Sequence, residues 1–235
     1  MKKTRKQISF VLKILITFFA FFAVISSCVT AVSDGYSAWH TRLYYFTQQS
    51  NIWIGFICLY ILIFLILGKI KNKDYIKRYM YILKFIFTVS ITITGIIFCS
   101  FLAPFADFDV WSFASILTHV VVPILSIVDF FVDDYNIVFN KKHIFLTLIP
   151  PFLYFVFSTT LTLLNVDFGR GDTFPYFFLN FRSDVGMFGY SFYDGLPHLG
   201  CFYWILFILG LILFLSFIYT KLHPNTRKNR KQKTL

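Results

Sequence analysis

The chain has 235 residues, 57% of them hydrophobic and 33 of them Phe, so a water-soluble domain of this length is excluded: it would expose far more apolar surface than water tolerates. The formal net charge of +11 would suit nucleic acid. Its distribution, sorted between connectors rather than gathered on one patch, argues against that partner.

Six apolar runs are long enough to span a bilayer as helices, which takes roughly 20 residues each. They are Ile8 to Ala31, Thr47 to Gly68, Tyr79 to Leu102, Trp111 to Val132, Ile144 to Leu164 and Leu199 to Thr220. The runs are continuously apolar rather than alternating, which predicts helices and not a closed barrel. The predicted fold is therefore all-α: one polytopic bundle of six transmembrane helices, a single domain over 1–235.

The connectors set the orientation. Lys2, Lys3, Arg5 and Lys6 precede the first run. Lys69, Lys71, Lys73, Lys77 and Arg78 follow the second, and Lys141 and Lys142 follow the fourth. Lys221, Arg227, Lys228, Arg230, Lys231 and Lys233 lie in the tail 221–235. The intervening connectors hold only Arg42, Arg170 and Arg182 against seven Asp: Asp34, Asp107, Asp109, Asp167, Asp172, Asp184 and Asp194. This is the positive-inside pattern of a multi-pass cell-membrane protein with both termini cytosolic. The basic tail is expected to touch anionic lipid headgroups.

The first run ends in Ile25-Ser26-Ser27-Cys28, which resembles a bacterial lipobox. The apolar stretch exceeds the ~7–15 residues of a signal core, which favours a retained span. Cys28, Cys58, Cys99 and Cys201 all fall in or at the ends of runs. With no CxxC or Cys/His cluster, they read as small apolar core residues rather than zinc ligands.

The second run opens Tyr45-Phe46-Thr47-Gln48-Gln49-Ser50-Asn51, where Thr47, Ser50 and Asn51 share one helix face. That patch either lines a site or supplies interhelical hydrogen bonds. In the fourth run, His119, Pro123, Ser126 and Asp129 fall on one stripe. An ionisable side chain at the depth of His119 faces the bundle interior with a partner. Pro123 removes the backbone bond to residue 119. Asp129 is expected to snorkel near the inner surface with Asp133 and Asp134, and His40, His143 and His223 to lie at the interface. In the fifth run, Pro150 and Pro151 are expected to bend the helix. The loop 165–198 is long, faces outward and is rich in Gly and aromatics, which suits a lid or a segment resting on the outer leaflet. His198 lies at its end.

No P-loop, GxSxG or dinucleotide fingerprint occurs, no metal-ligand spacing is present, and the chain contains no Glu. No cofactor is implied.

The combination of Phe46-Thr47, Asn51 and His119-Val120-Val121-Val122-Pro123 resembles the androgen-induced and androgen-dependent-regulator type of six-span membrane proteins, nearest their bacterial branch. Two further stretches fit that family: Pro151 to Tyr154, and Arg170 to Leu179, which looks like its aromatic-Pro-aromatic-Leu segment. Gln48 and Gln49 depart from it, standing where the family is more apolar. Animal members hydrolyse fatty-acid esters of hydroxy fatty acids with a threonine nucleophile and an intramembrane histidine. The resemblance implies Thr47 as nucleophile and His119 as base, acting on a lipid ester. Asn51, Gln48, Ser50 and Tyr176 are candidates for substrate or oxyanion contacts. Pro123, Asp109 and His198 are candidate supporting residues.

One count opposes this reading. Measured up from the inner ends of their runs, His119 lies several residues deeper than Thr47, each residue adding about 1.5 Å. A hydrogen bond needs about 3 Å. The competing readings are a small transporter or lipid-binding protein, in which the same polar residues line a pathway, and a membrane scaffold without activity.

Overall fold

A computed structural model describes residues 2–106, 110–133, 137–169, 171–193 and 196–224. Its helices are α1 Lys2–Thr30, α2 Phe46–Lys71, α3 Arg78–Ile97, α4 Phe113–Ile116, α5 Val122–Val132, α6 Lys141–Leu146, α7 Ile149–Leu163 and α8 Cys201–Leu222. A π-helical turn, Phe98–Leu102, extends α3, and a second, Leu117–Val121, joins α4 to α5. Counted with these continuations, and with α6 and α7 as one span, six helices among the described residues are long and apolar enough to cross a membrane.

Local chemistry sets several ends. Asn72 at φ 49° stops α2, and the Lys73 N–H closes back on the Gly68 carbonyl at 3.1 Å. Asn140 caps α6 by accepting from the His143 N–H at 3.3 Å, while its own N–H donates to His143 Nδ1 at 3.1 Å. The fifth span, Lys141–Leu163, is interrupted close to Pro150 and Pro151, with helical φ/ψ kept at the junction. It breaks at Thr147 and Leu148, and Pro150 and Pro151 occupy the first turn of α7, where a missing N–H leaves no hydrogen bond unmade.

The helices are enclosed to different degrees. Within its most apolar stretch α3 is 67% buried, against 17% for α8. Small residues let neighbours approach α3. Thr88, Ser90, Thr92 and Thr94 are buried and return their hydroxyls to carbonyls one turn back. One core cluster joins Phe85, Val89 and Ile93 to Phe130, Ile212 and Tyr219. Another joins Ile16 and Ala20 to Ile54, Ile61, Ile91 and Val122.

The two poles differ. At one, Arg5 donates to the Phe131 and Val132 carbonyls at 2.9 and 3.2 Å, fixing the start of α1 to the end of α5. Just inside it, Lys13 and Lys84 pair with Asp129 and Asp133. Asp129 is fully buried there and does not snorkel, because two lysines from other helices meet it inside the bundle. His143 and His223, at span ends, are buried by protein: His143 is spent on its cap, and His223 packs between Phe130 and Phe139. His40 is exposed.

The opposite pole carries the loop 165–198, which qualifies the all-α expectation. It contains a 3-10 turn, Phe177–Leu179, and a two-stranded antiparallel hairpin, β1 Tyr190–Tyr193 with β2 Leu196–Leu199. Aromatic residues favour a pleated strand and promote pairing even in this short segment.

Candidate active site

Thr47 lies in the first turn of α2, where backbone N–H groups have no partner within the helix. Its N–H reaches out of the bundle to the Tyr176 hydroxyl at 3.4 Å, which docks the long loop onto the helix end. Its carbonyl is held by Ser50 Oγ at 3.0 Å and Asn51 Nδ2 at 2.8 Å. Its Oγ1 stands 3.2 Å from His119 Nε2.

His119 sits in the π turn between α4 and α5. Such turns widen the helix by one residue and reorient a side chain. Because Pro123 has no N–H, the His119 carbonyl is released from its helical bond. It rests against Gly95 of α3, where a Cβ would lie only 2.7 Å from that oxygen. The ring stacks on Phe98 with centroids 3.5 Å apart and planes 11° from parallel.

The other ring nitrogen fixes the proton. His119 Nδ1 is 2.9 Å from the Ser115 carbonyl, 3.1 Å from Ser115 Oγ and 3.2 Å from Thr118 Oγ1. A carbonyl cannot donate, so Nδ1 carries the hydrogen and Nε2 keeps its lone pair toward the Thr47 hydroxyl. Thr118 Oγ1 itself donates to the Ala114 or Ser115 carbonyl, both at 3.1 Å. The arrangement is that of a hydroxyl, an imidazole and an orienting acceptor, with a backbone carbonyl where the best-known triads place a carboxylate.

Both residues open into one chamber of about 550 Å³, which Gln48, Arg42, Asp172 and Tyr176 also line. Behind it lies a narrower apolar pocket of about 130 Å³, lined by Phe46, Ile97, Pro151, Tyr154, Phe178 and Ile208 among others. Thr47, Leu102 and Tyr176 line both, so the Thr47 hydroxyl stands where the polar chamber meets the apolar pocket. Gln48 is nearly buried, and its Oε1 has no partner among the described residues. Burial pushes the Tyr176 phenol above its usual range, with hydrogen bonds to Thr47 opposing it, so the phenol stays protonated at neutral pH.

The remaining sequence candidates separate clearly. Asn51 and Ser50 are fully buried and outside the chamber lining. Asn51 spends its amide N–H groups on the Thr47 and Thr118 carbonyls, the latter at 3.2 Å, and Ser50 bonds Thr94 Oγ1 at 2.8 Å. They hold helices together and are not oxyanion donors. Pro123 packs on the helix face opposite Gly95. His198 pairs across the hairpin with Ser191 and is not in the chamber lining. Asp109 lies outside the described residues. Sequence reading missed Ser115, Thr118, Phe98 and Arg42. Ser115 had a signal, standing one helical turn before His119 on the same face; Phe98, on another helix, had none.

Among the described residues no group of three or more His, Cys, Asp or Glu is placed to hold a metal ion, and all four cysteines are free thiols. No protein-family model, curated protein or solved structure matches this chain, so its chemistry has to be read from its own residues.

Proposed function

We propose that this chain is an intramembrane lipid-ester hydrolase of the cell membrane, with both termini cytosolic, the chamber opening outward, Thr47 as nucleophile and His119 as general base. The observation that carries the reading is the Thr47 Oγ1 to His119 Nε2 approach of 3.2 Å, with Nδ1 committed to the Ser115 carbonyl. A threonine hydroxyl attacks an ester only when a base removes its proton, and a neutral imidazole does this near pH 7.

Thr47 Oγ1 bonds to the ester carbonyl carbon as its proton passes to Nε2. The tetrahedral oxyanion is met by the Tyr176 hydroxyl and the Gln48 amide, both at the chamber wall; one well-placed donor lowers such a barrier by about 3–4 kcal/mol. Collapse breaks the bond to the alcohol oxygen, which leaves with the proton from Nε2. Water entering the chamber gives His119 a proton, attacks the acyl-threonine and frees the fatty acid, restoring the Thr47 hydroxyl. The apolar pocket behind Thr47 suits an acyl chain and the polar chamber suits the alcohol portion, consistent with the fatty-acid esters of hydroxy fatty acids implied by the resemblance.

The test is a fluorophosphonate probe on the purified, folded protein. Labelling is expected in the wild type and absent in Thr47→Ala and His119→Ala. Equal labelling of all three would overturn the assignment, and substrate-dependent flux into vesicles without hydrolysis would replace it with transport.

A further inference from the structure

A second cavity lies at the other pole, in the seam between α1 and α2, and takes no part in the proposed chemistry. It measures about 1250 Å³. Its rim carries Lys3 and Lys6 from α1, Lys69 from the end of α2 and Lys73 just beyond it, all exposed. The one exposed acid beside them, Asp74, accepts from the Ile76 N–H at 2.8 Å. Deeper in, Lys13 is already committed to Ser9, Asp129 and Asp133, so the free positive charge is at the rim.

The same seam continues along the helices as an apolar groove of about 560 Å³. Ile14, Phe18 and Phe21 form one wall, and Leu59, Leu62 and Ile63 the other. Phe10 and Ile66 line both the lysine-rimmed cavity and the groove, so the two are continuous. On each helix the lining residues recur at three and four positions, one face of α1 against one face of α2.

We propose that this seam binds a glycerophospholipid with an anionic headgroup, phosphate among the four lysines and an acyl chain along the groove. Charge complementarity selects the occupant. A zwitterionic lipid would fill the groove but gain little net attraction from the lysines, and a free phosphate would meet the lysines but leave the groove unfilled. The proposal rests on the chain lying in a membrane and not on Thr47 or His119, so failure of the hydrolase reading leaves it standing.

Native mass spectrometry of the full-length protein in detergent, titrated with phosphatidylglycerol, phosphatidylcholine or inorganic phosphate, tests it. Phosphatidylglycerol should be retained and phosphatidylcholine lost. Combining Lys6→Gln, Lys69→Gln and Lys73→Gln should weaken retention by about five-fold per lysine, roughly a hundred-fold together. These positions are exposed, so the variant should melt at the wild-type temperature in lipid-free detergent. Combining Lys228→Gln, Lys231→Gln and Lys233→Gln removes the same charge from the tail and should leave retention intact. Equal loss in both triple variants, retention of phosphatidylcholine as strong as phosphatidylglycerol, or displacement by inorganic phosphate would each overturn the site.

Discussion

At the scale of single residues, the site depends on a division of labour the sequence could not express. Thr47, Ser50 and Asn51 share a helix face, and spacing alone makes them equal candidates. The structure turns Thr47 toward His119 and the chamber, while Ser50 and Asn51 tie its carbonyl to the neighbouring helices. Asn51 is therefore a positioning residue. In Asn51→Leu, the Thr118 carbonyl loses its side-chain donor and the Thr47 carbonyl keeps only Ser50 Oγ, at about 1–3 kcal/mol. Thermal unfolding in detergent should move down accordingly. Fluorophosphonate labelling should slow without vanishing, because Thr47 and His119 both remain. Complete loss of labelling in a stably folded Asn51→Leu protein would instead make Asn51 part of the chemistry. His119 was legible as a buried ionisable group. Its orienting partner was not, because a backbone carbonyl leaves no mark in the sequence.

At the scale of elements, the mismatch in depth came from assuming that α2 and α5 end at the same level. They do not. Thr47 Oγ1 and His119 Nε2 meet at 3.2 Å, yet Thr47 lies 24 residues from the inner end of α2 and His119 only 13 from that of α5. The helix α2 runs on to Lys71, whereas α5 stops at Val132, among the buried ion pairs. Apolar run length shows that a segment can cross a membrane, but not how far it projects beyond its neighbours. The close approach of α3 to the His119 turn gives a direct test. Replacing an interior helical Gly by Ala is worth up to about 1 kcal/mol in helix propensity. At Gly95 the new methyl would meet the His119 carbonyl at 2.7 Å and Pro123 at 3.3 Å, so sterics should win. Gly95→Ala is expected to melt lower and to label poorly, while Gly210→Ala, with open space around its Cβ, should melt at or above the wild-type temperature. Equal melting of the two variants would mean that this helix contact does not hold the π turn in place.

At the scale of the whole molecule, the number of spans was the most legible property, because a long apolar run is read along the chain without any contact between helices. The ion cluster inside the basic pole was not legible, since its members come from three helices. Lys13 of α1, Lys84 of α3, Asp129 of α5 and Asp133 just beyond it are nearly buried and sum to zero charge. In a low-dielectric interior such a set is tolerated only as a whole: removing one member leaves a charge with neither water nor a partner. Lys84→Met strands one negative charge and should lower stability by about 3–5 kcal/mol. Adding Asp133→Asn restores neutrality, with Lys13 still facing Asp129, and should recover most of that loss. Thermal unfolding of the single and double variants in detergent measures both steps. The cluster lies ten residues along the span from His119, so the double variant should regain probe labelling together with its melting temperature. A double variant that melts no higher than Lys84→Met would mean that the individual hydrogen bonds, rather than neutrality, join α1, α3 and α5 at this level.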